Sequence, residues 1–163
     1  MSNVRSQMLV RRAMPGEALA LSTLAYESKA HWNYTASQLA AWKSDLTIDA
    51  TSIVSRPTFV IEDDGQVVGF YQLCIEPMGE QPQLEHFWIK PVAMSKGYGR
   101  ALLQHALSEA VERGYSQVRI DADPSAEAFY LACGSRRVGE VAAPITGQPG
   151  RVRPQLVLVA NAT

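Results

Sequence analysis

With 163 residues, 47% of them hydrophobic and 19% charged, the chain can build one domain around one apolar core, which excludes disorder for want of a core. Its 15 Lys and Arg nearly balance 16 Asp and Glu, for a formal charge of -1, so no general electrostatic attraction to nucleic acid or an anionic membrane is expected. The chain shows no apolar run near the roughly 20 residues of a membrane span, and without the apolar run of a signal peptide at its start no secretory leader is expected. Cys74 and Cys133 lie in apolar surroundings without metal-ligand spacing. They are expected to be buried free thiols of a cytoplasmic protein.

Met8 to Arg12 reads as a short opening strand. Pro15 and Gly16 introduce a helix with Leu19, Leu21, Leu24 and Ala25 on its apolar face. Ser37 to Leu46 reads as a second short helix, with Leu39, Trp42 and Leu46 on one side. Thr58 to Glu62 is rich in strand formers, Asp64-Gly65 is a hairpin turn, and Val67 to Ile75 is the returning strand. A looser turn through Pro77, Gly79 and Pro82 leads into a strand over Gln83 to Lys90.

The hydrophobic period then lengthens. Tyr98 to Arg113 carries Leu102, Leu103, Ala106, Leu107, Ala110 and Val111 at helical spacing, with Gly114 as the stop. Gln117 to Ala122 alternates as a strand, and Asp123 can cap a helix that begins at Pro124 and stops near Gly134. Arg136 to Val141 and Gln155 to Val159 are the last strands. The segment between them, with Pro144, Gly147, Pro149, Gly150 and Pro154, reads as a loop. A strand–helix–strand crossover after an antiparallel meander predicts a single α+β domain over residues 1–163, with one mixed, mostly antiparallel sheet flanked by helices.

Ser95-Lys96-Gly97-Tyr98-Gly99-Arg100 joins a strand directly to the long helix. Glycines there allow backbone close to a ligand, and the helix start offers free amides and partial positive charge, a combination suited to a phosphate or diphosphate. No Gly-Lys-Ser/Thr follows, and the third glycine of the dinucleotide fingerprint is absent. The run Leu84-Glu85-His86-Phe87-Trp88-Ile89-Lys90-Pro91, then Met94 to Leu103, then Ala126-Glu127-Ala128-Phe129-Tyr130-Leu131 with Gly134, resembles the GNAT N-acetyltransferase superfamily over nearly the whole chain. Met94 departs from the usual Gln or Arg, and Ser135 stands where a phenylalanine is common. The resemblance implies acetyl-coenzyme A as cofactor. Phe87, Trp88 and Ile89 would line its pantetheine arm, Lys96, Gly97, Tyr98, Gly99, Arg100 and Ala101 would cradle its diphosphate, and Ala126, Phe129 and Tyr130 would flank its far side.

Acetyl transfer to an amine needs a neutral amine, a stabilised oxyanion and a proton for the departing thiolate. The resemblance assigns the proton donor to Tyr130, since a phenol with a pKa of about 10 is protonated at neutral pH. Gln83 occupies the position where the family often has a glutamate. Glu85, two residues on and on the same strand face, is the candidate base, and a surface glutamate is the competing reading. His86 faces the other way and reads as structural, and His105 reads as exposed. The polar–aromatic stretch around His31, Trp32 and Tyr34 falls where the superfamily walls its acceptor site. It looks like one bacterial subgroup of that superfamily, as do Asp123-Pro124 and the Gly150-Arg151 loop. Its aromatic rings suit a cationic or aromatic small-molecule amine, with a packed helical corner as the alternative. Arg151 and Arg153 are candidates for drawing in a carboxylate-bearing acceptor. Two other readings stay open: a non-catalytic acyl-CoA sensor, favoured by Gln83, and an acetyltransferase of protein N-termini or lysines. A homodimer through the C-terminal strands is a further expectation by analogy.

Overall fold

The computed structural model describes residues 8–75 and 81–161, so the turn expected through Pro77 and Gly79 lies outside the described residues. Among those described, the strands are β1 (Met8–Arg12), β2 (Thr58–Asp63), β3 (Gln66–Cys74), β4 (Gln83–Ile89), β5 (Gln117–Asp121), β6 (Arg136–Ala142) and β7 (Val152–Val159). They form one sheet in the order β1-β2-β3-β4-β5-β7-β6. The β4–β5 pair is parallel, and β1–β2, β2–β3, β5–β7 and β6–β7 are antiparallel. The helices are α1 (Ala18–Ala30), α2 (Ala36–Ala41), α3 (Ala50–Ser55), α4 (Tyr98–Glu112) and α5 (Glu127–Ala132). The α+β class with a mixed, mostly antiparallel sheet and flanking helices is therefore the observed one. Contacts gather the chain into two compact units. One runs to Gln72 and resumes over His86–Leu102, and the other holds the remaining described residues.

In the first unit, Asp64 and Gly65 take φ of 50° and 80°, the left-handed pair that a two-residue hairpin needs to match strand twist. They close β2 on β3 at the Asp63↔Gln66 pair. Leu21, Leu24 and Ala25 of α1 and Ile53 of α3 bury against Val60 and Phe70 of the hairpin, each large side chain contributing roughly 1.5–3 kcal/mol. Leu19 is 81% exposed, so the buried stripe of α1 runs Leu21, Leu24, Ala25, Ser28 and leaves Leu19 on the solvent side. The second expected helix is shorter than its pattern. Thr35 and Gln38 form a reciprocal capping box, α2 ends at Ala41, and turns carry the chain to buried Leu46. Helix α3 has no counterpart in the sequence reading. Asp49 caps it by accepting the Ser52 amide at 2.7 Å, and Gln72 Nε2 donates to Ser52 Oγ at 3.1 Å and to Thr58 Oγ1 at 3.2 Å. Gly69 of β3 is the close-approach glycine. A Cβ there would lie 2.8 Å from the Trp88 carbonyl oxygen and 2.5 Å from Ile89 Cδ1.

In the second unit, Leu103, Ala106 and Ala110 of α4 are buried, as are Val118 and Ile120 of β5 and Leu156 and Leu158 of β7. Gly114 stops α4 at φ 93°. Asp123 accepts the Ser125 amide at 2.9 Å, but the chain it caps starts as a 3-10 turn over Pro124–Ala126 and becomes α-helical only at Glu127. Strand β7 begins at Val152, so Pro154 lies in the strand and not in the loop. It has no N–H to give the ladder, and its carbonyl accepts the Ala122 amide at 3.0 Å. Two smaller expectations also change: Cys74 is only part-buried beside buried Cys133, and His105 is half-buried on α4.

Candidate functional site

Beyond β4, Pro91–Ala93 makes one 3-10 turn. Ser95 at φ 62° and Gly97 at φ 89° then enter the left-handed region twice in three residues, and α4 begins at Tyr98. A Cβ on Gly97 would meet nothing within 4 Å, so the dihedral and not space calls for glycine there. Ser95 holds a conformation that side chains disfavour by roughly 1–2 kcal/mol, a strain of the kind found at ligand-binding turns. The Ala101 amide donates to the Gly97 carbonyl at 3.2 Å. The amides of a helix's first turn have no acceptor within the helix, and here they open beside exposed Lys96 and Arg100. Tyr98 turns inward, only 9% exposed, and its hydroxyl donates to the Asp63 carboxylate at the end of β2, which holds the phenol above its ordinary pKa. The sequence reading missed Asp63 as this anchor. Its nearest signal is a tyrosine set between two turn glycines.

On β4, His86 and Trp88 share one face. The Trp88 indole donates to His86 Nδ1 at 3.1 Å, the His86 ring lies 6.1 Å from that of Phe70, and Trp88 packs on the core. Burial, with the Arg56 charge, pushes His86 down to about 4, so it is a neutral structural histidine. Of the three residues expected to line the pantetheine arm, Trp88 gives its side chain to the core and its carbonyl toward β3. Strand alternation aims the main-chain groups of Phe87 and Ile89 the other way.

In the second unit, Tyr130 is buried on α5, and its phenol is pushed well up by burial, with Asp123 and Cys133 adding to the shift. The Phe129 ring stands edge-on to it at 5.3 Å, and half-buried Ala126 ends the preceding 3-10 turn. Arg151 reaches Asp123 at 3.4 Å and the Ala143 carbonyl at 3.1 Å, and Arg153 bonds Asp121 at 2.9 Å. Both arginines expected to await a carboxylate are thus engaged within the chain. Glu85 is exposed on β4.

The aromatic corner lies in the first unit. His31 and Trp32 meet edge-on at 4.9 Å and are exposed. Tyr34 meets Trp42 at 4.8 Å, and the Lys29 ammonium lies 4.9 Å from the Tyr34 ring and 4.5 Å from that of Trp42. Trp42 and Lys29 join this group though the sequence reading did not place them in it. The i, i+5 spacing of Lys29 and Tyr34 and the capping box at Thr35 give a local hint, while Trp42 lies 13 residues from Lys29.

Among the described residues no helix is long and apolar enough to cross a membrane, and no group of three or more metal-ligating side chains occurs. The chain matches the acetyltransferase (GNAT) family model over residues 22–134. In fold it is similar to the PaiA N-acetyltransferase of Thermoplasma acidophilum solved with coenzyme A, at 18% identity and a TM-score of 0.73 over 94% of this chain and 99% of that one. A GCN5-related N-acetyltransferase from Rhodopseudomonas palustris gives 19% identity and a TM-score of 0.75 over 98% and 99%. YncA of Salmonella typhimurium, solved with its cofactor acetyl-CoA, gives 18% identity and a TM-score of 0.69 over 97% and 96%.

Proposed function

The chain belongs to the acetyltransferase (GNAT) family, and on that premise we propose that it transfers the acetyl group of acetyl-coenzyme A to the amine of a small molecule. The observation that carries this reading is the turn before α4, where left-handed Ser95 and Gly97 present main-chain amides at a helix start between two exposed cations. That cradle fits a diphosphate. When bound, acetyl-coenzyme A supplies an activated acetyl thioester. Lys96, Gly97, Tyr98, Gly99, Arg100 and Ala101 hold the diphosphate. Phe87, Trp88 and Ile89 line the pantetheine arm, where Phe87 and Ile89 offer main-chain groups and Trp88 anchors the strand. Ala126 and Phe129 flank it.

Tyr130 holds the proton. Burial keeps its phenol protonated across the neutral and alkaline range, so its Oη can donate to the departing sulfur. Glu85, exposed on β4, takes the proton from the amine. His31 and Trp32 wall the acceptor, and Tyr34 supports them from the corner. The match over 22–134 runs through both units, in keeping with one catalytic domain over 1–163, and two free cysteines fit a reducing cytoplasm.

The test is release of free thiol from acetyl-coenzyme A across a panel of small amines. Turnover is expected for at least one. Acetyl-coenzyme A binding with no turnover on any amine would point to a sensor, and turnover only on peptides would point to a protein acetyltransferase. In the same assay Tyr130→Phe should lower kcat by about 100-fold with cofactor affinity unchanged. An unaltered kcat would remove Tyr130 from the chemistry.

A further inference from the structure

We propose that one face of the second unit's strands binds the carboxylate of the amine acceptor through Arg119 and Arg136, an inference that rests on the acetyltransferase reading. Register places these residues. Gln83 of β4 pairs with Arg119 of β5, Arg119 with Val157 of β7, and Val157 with Arg136 of β6. Directly paired residues share a face, so Gln83, Arg119, Val157 and Arg136 form one row across four strands. The two arginines stand two strand spacings apart, about 10 Å between Cα atoms. A cavity of about 470 Å³ opens on this face, bounded by the row together with Asp121, Glu140 and Gln155.

The charges of the cavity do not cancel. Asp121 accepts from Arg153 and from Gln155, each at 2.9 Å, and Glu140 bonds Arg137 at 2.7 Å. Both carboxylates are therefore paired from within, Glu140 through an Arg137 that also bonds Glu127 at 3.2 Å. Arg119 and Arg136 are exposed and have no side-chain hydrogen bond or ion pair among the described residues. Two uncompensated guanidiniums facing one concavity favour an anion, and the planar fork of arginine matches a carboxylate in two hydrogen bonds. Valine between them is short enough to leave both forks room above the sheet. Gln83 then gains a meaning. A glutamate at this position, paired in register with Arg119, would cancel its charge, whereas the amide leaves that charge available. Glu85 is exposed two residues further along β4, on the same face by alternation. A molecule anchored by its carboxylate on the arginines can thus present its amine on the side where the base stands.

The experiment compares two acceptors that differ by the anion, 6-aminohexanoate and hexylamine, at saturating acetyl-coenzyme A. The wild type should favour the carboxylated amine by at least about tenfold in kcat/KM. In Arg119→Gln/Arg136→Gln that ratio should fall to within about twofold of unity. A parallel calorimetric titration uses glutarate, which has no amine to acetylate. The wild type should bind it and the double variant should not. Glutarate binding without turnover of any amine would sink the acetyltransferase reading and leave the anion site standing. No glutarate binding to the wild type overturns the site, as does a preference that survives the double substitution or an equal loss on both amines. So does a concentration-dependent dimer that dissociates in the double variant, since the arginines would then serve a second copy of the chain.

Discussion

The glycine turn at Ser95–Ala101 and the aromatic corner at Lys29–Trp42 both draw on the hydrophobic cluster of the first unit, the strand into the turn through Trp88 and the corner through Trp42. They are held in opposite ways. The turn owes its shape to two left-handed dihedrals and one inward side chain, Tyr98 on Asp63, so its first-turn amides open to solvent beside exposed Lys96 and Arg100. The corner owes its shape to side chains that face each other, with the Lys29 ammonium lodged against two rings. A site built from main chain leaves its binding groups open, while one built from side chains spends them on itself.

The strongest way to break this contrast is to fill the turn. Gly99→Glu adds a carboxylate where a diphosphate is expected, and like charges near 4 Å repel by about 4 kcal/mol at a protein surface. Calorimetry should show coenzyme A affinity down by more than about 100-fold in a variant whose melting profile is unchanged. Undiminished affinity would put the diphosphate elsewhere and remove the turn from the comparison.

The strand that feeds the turn can be probed by acid. His86 has its pKa pushed down to about 4 by burial, while the unfolded chain titrates near the ordinary value of about 6.5. The unfolded state therefore takes up the proton first. Stability is full above pH 6.5, declines as pH falls, and is lost through pH 4, up to about 3 kcal/mol in all. Denaturant titrations over that range should show the decline, and His86→Gln should flatten it. An identical profile in both proteins would mean His86 is more open to water than its packing on Phe70 and Trp88 indicates.

A smaller effect sharpens the account of the turn. Tyr98→Phe keeps the ring and removes the hydroxyl that donates to Asp63. Coenzyme A affinity should fall about fivefold, the scale of one hydrogen bond, with stability less affected than by Gly69→Ala. The latter forces a methyl against the Trp88 carbonyl and should destabilise by about 1–3 kcal/mol. Equal affinity in wild type and Tyr98→Phe would mean the dihedrals alone hold the turn.

What the sequence disclosed follows the same division. The Asp64-Gly65 hairpin, the long α4 and its glycine turn are written in local chemistry, in residues that permit left-handed backbone and in a helical period long enough to read. Helix α3 has six residues, too few to show a period. The Asp63 anchor lies 35 residues from Tyr98, and the early start of β7 depends on Pro154 offering its carbonyl to Ala122. The row of Gln83, Arg119, Val157 and Arg136 exists only once register is fixed across four strands. Sequence reasoning singled out Arg151 and Arg153 and not Arg119 and Arg136, and what separates the two pairs is partners distant in the chain: Asp123 for Arg151 and Asp121 for Arg153.

The corner itself is tested most gently, by removing one charge. Lys29→Met keeps an unbranched stem between Tyr34 and Trp42 and deletes the ammonium. If the cation–π contacts only fix the corner, stability should drop by about 0.5–1 kcal/mol and KM for an amine acceptor should change less than twofold. Trp32→Ala, which removes a ring that is 37% exposed and not covered by Lys29, should raise KM more than Lys29→Met does. A fall in KM for a cationic amine in Lys29→Met would reverse the contrast. It would make Lys29 a placeholder for the acceptor, and the rings of Tyr34 and Trp42 would then be a binding site that the chain keeps filled until its ligand arrives.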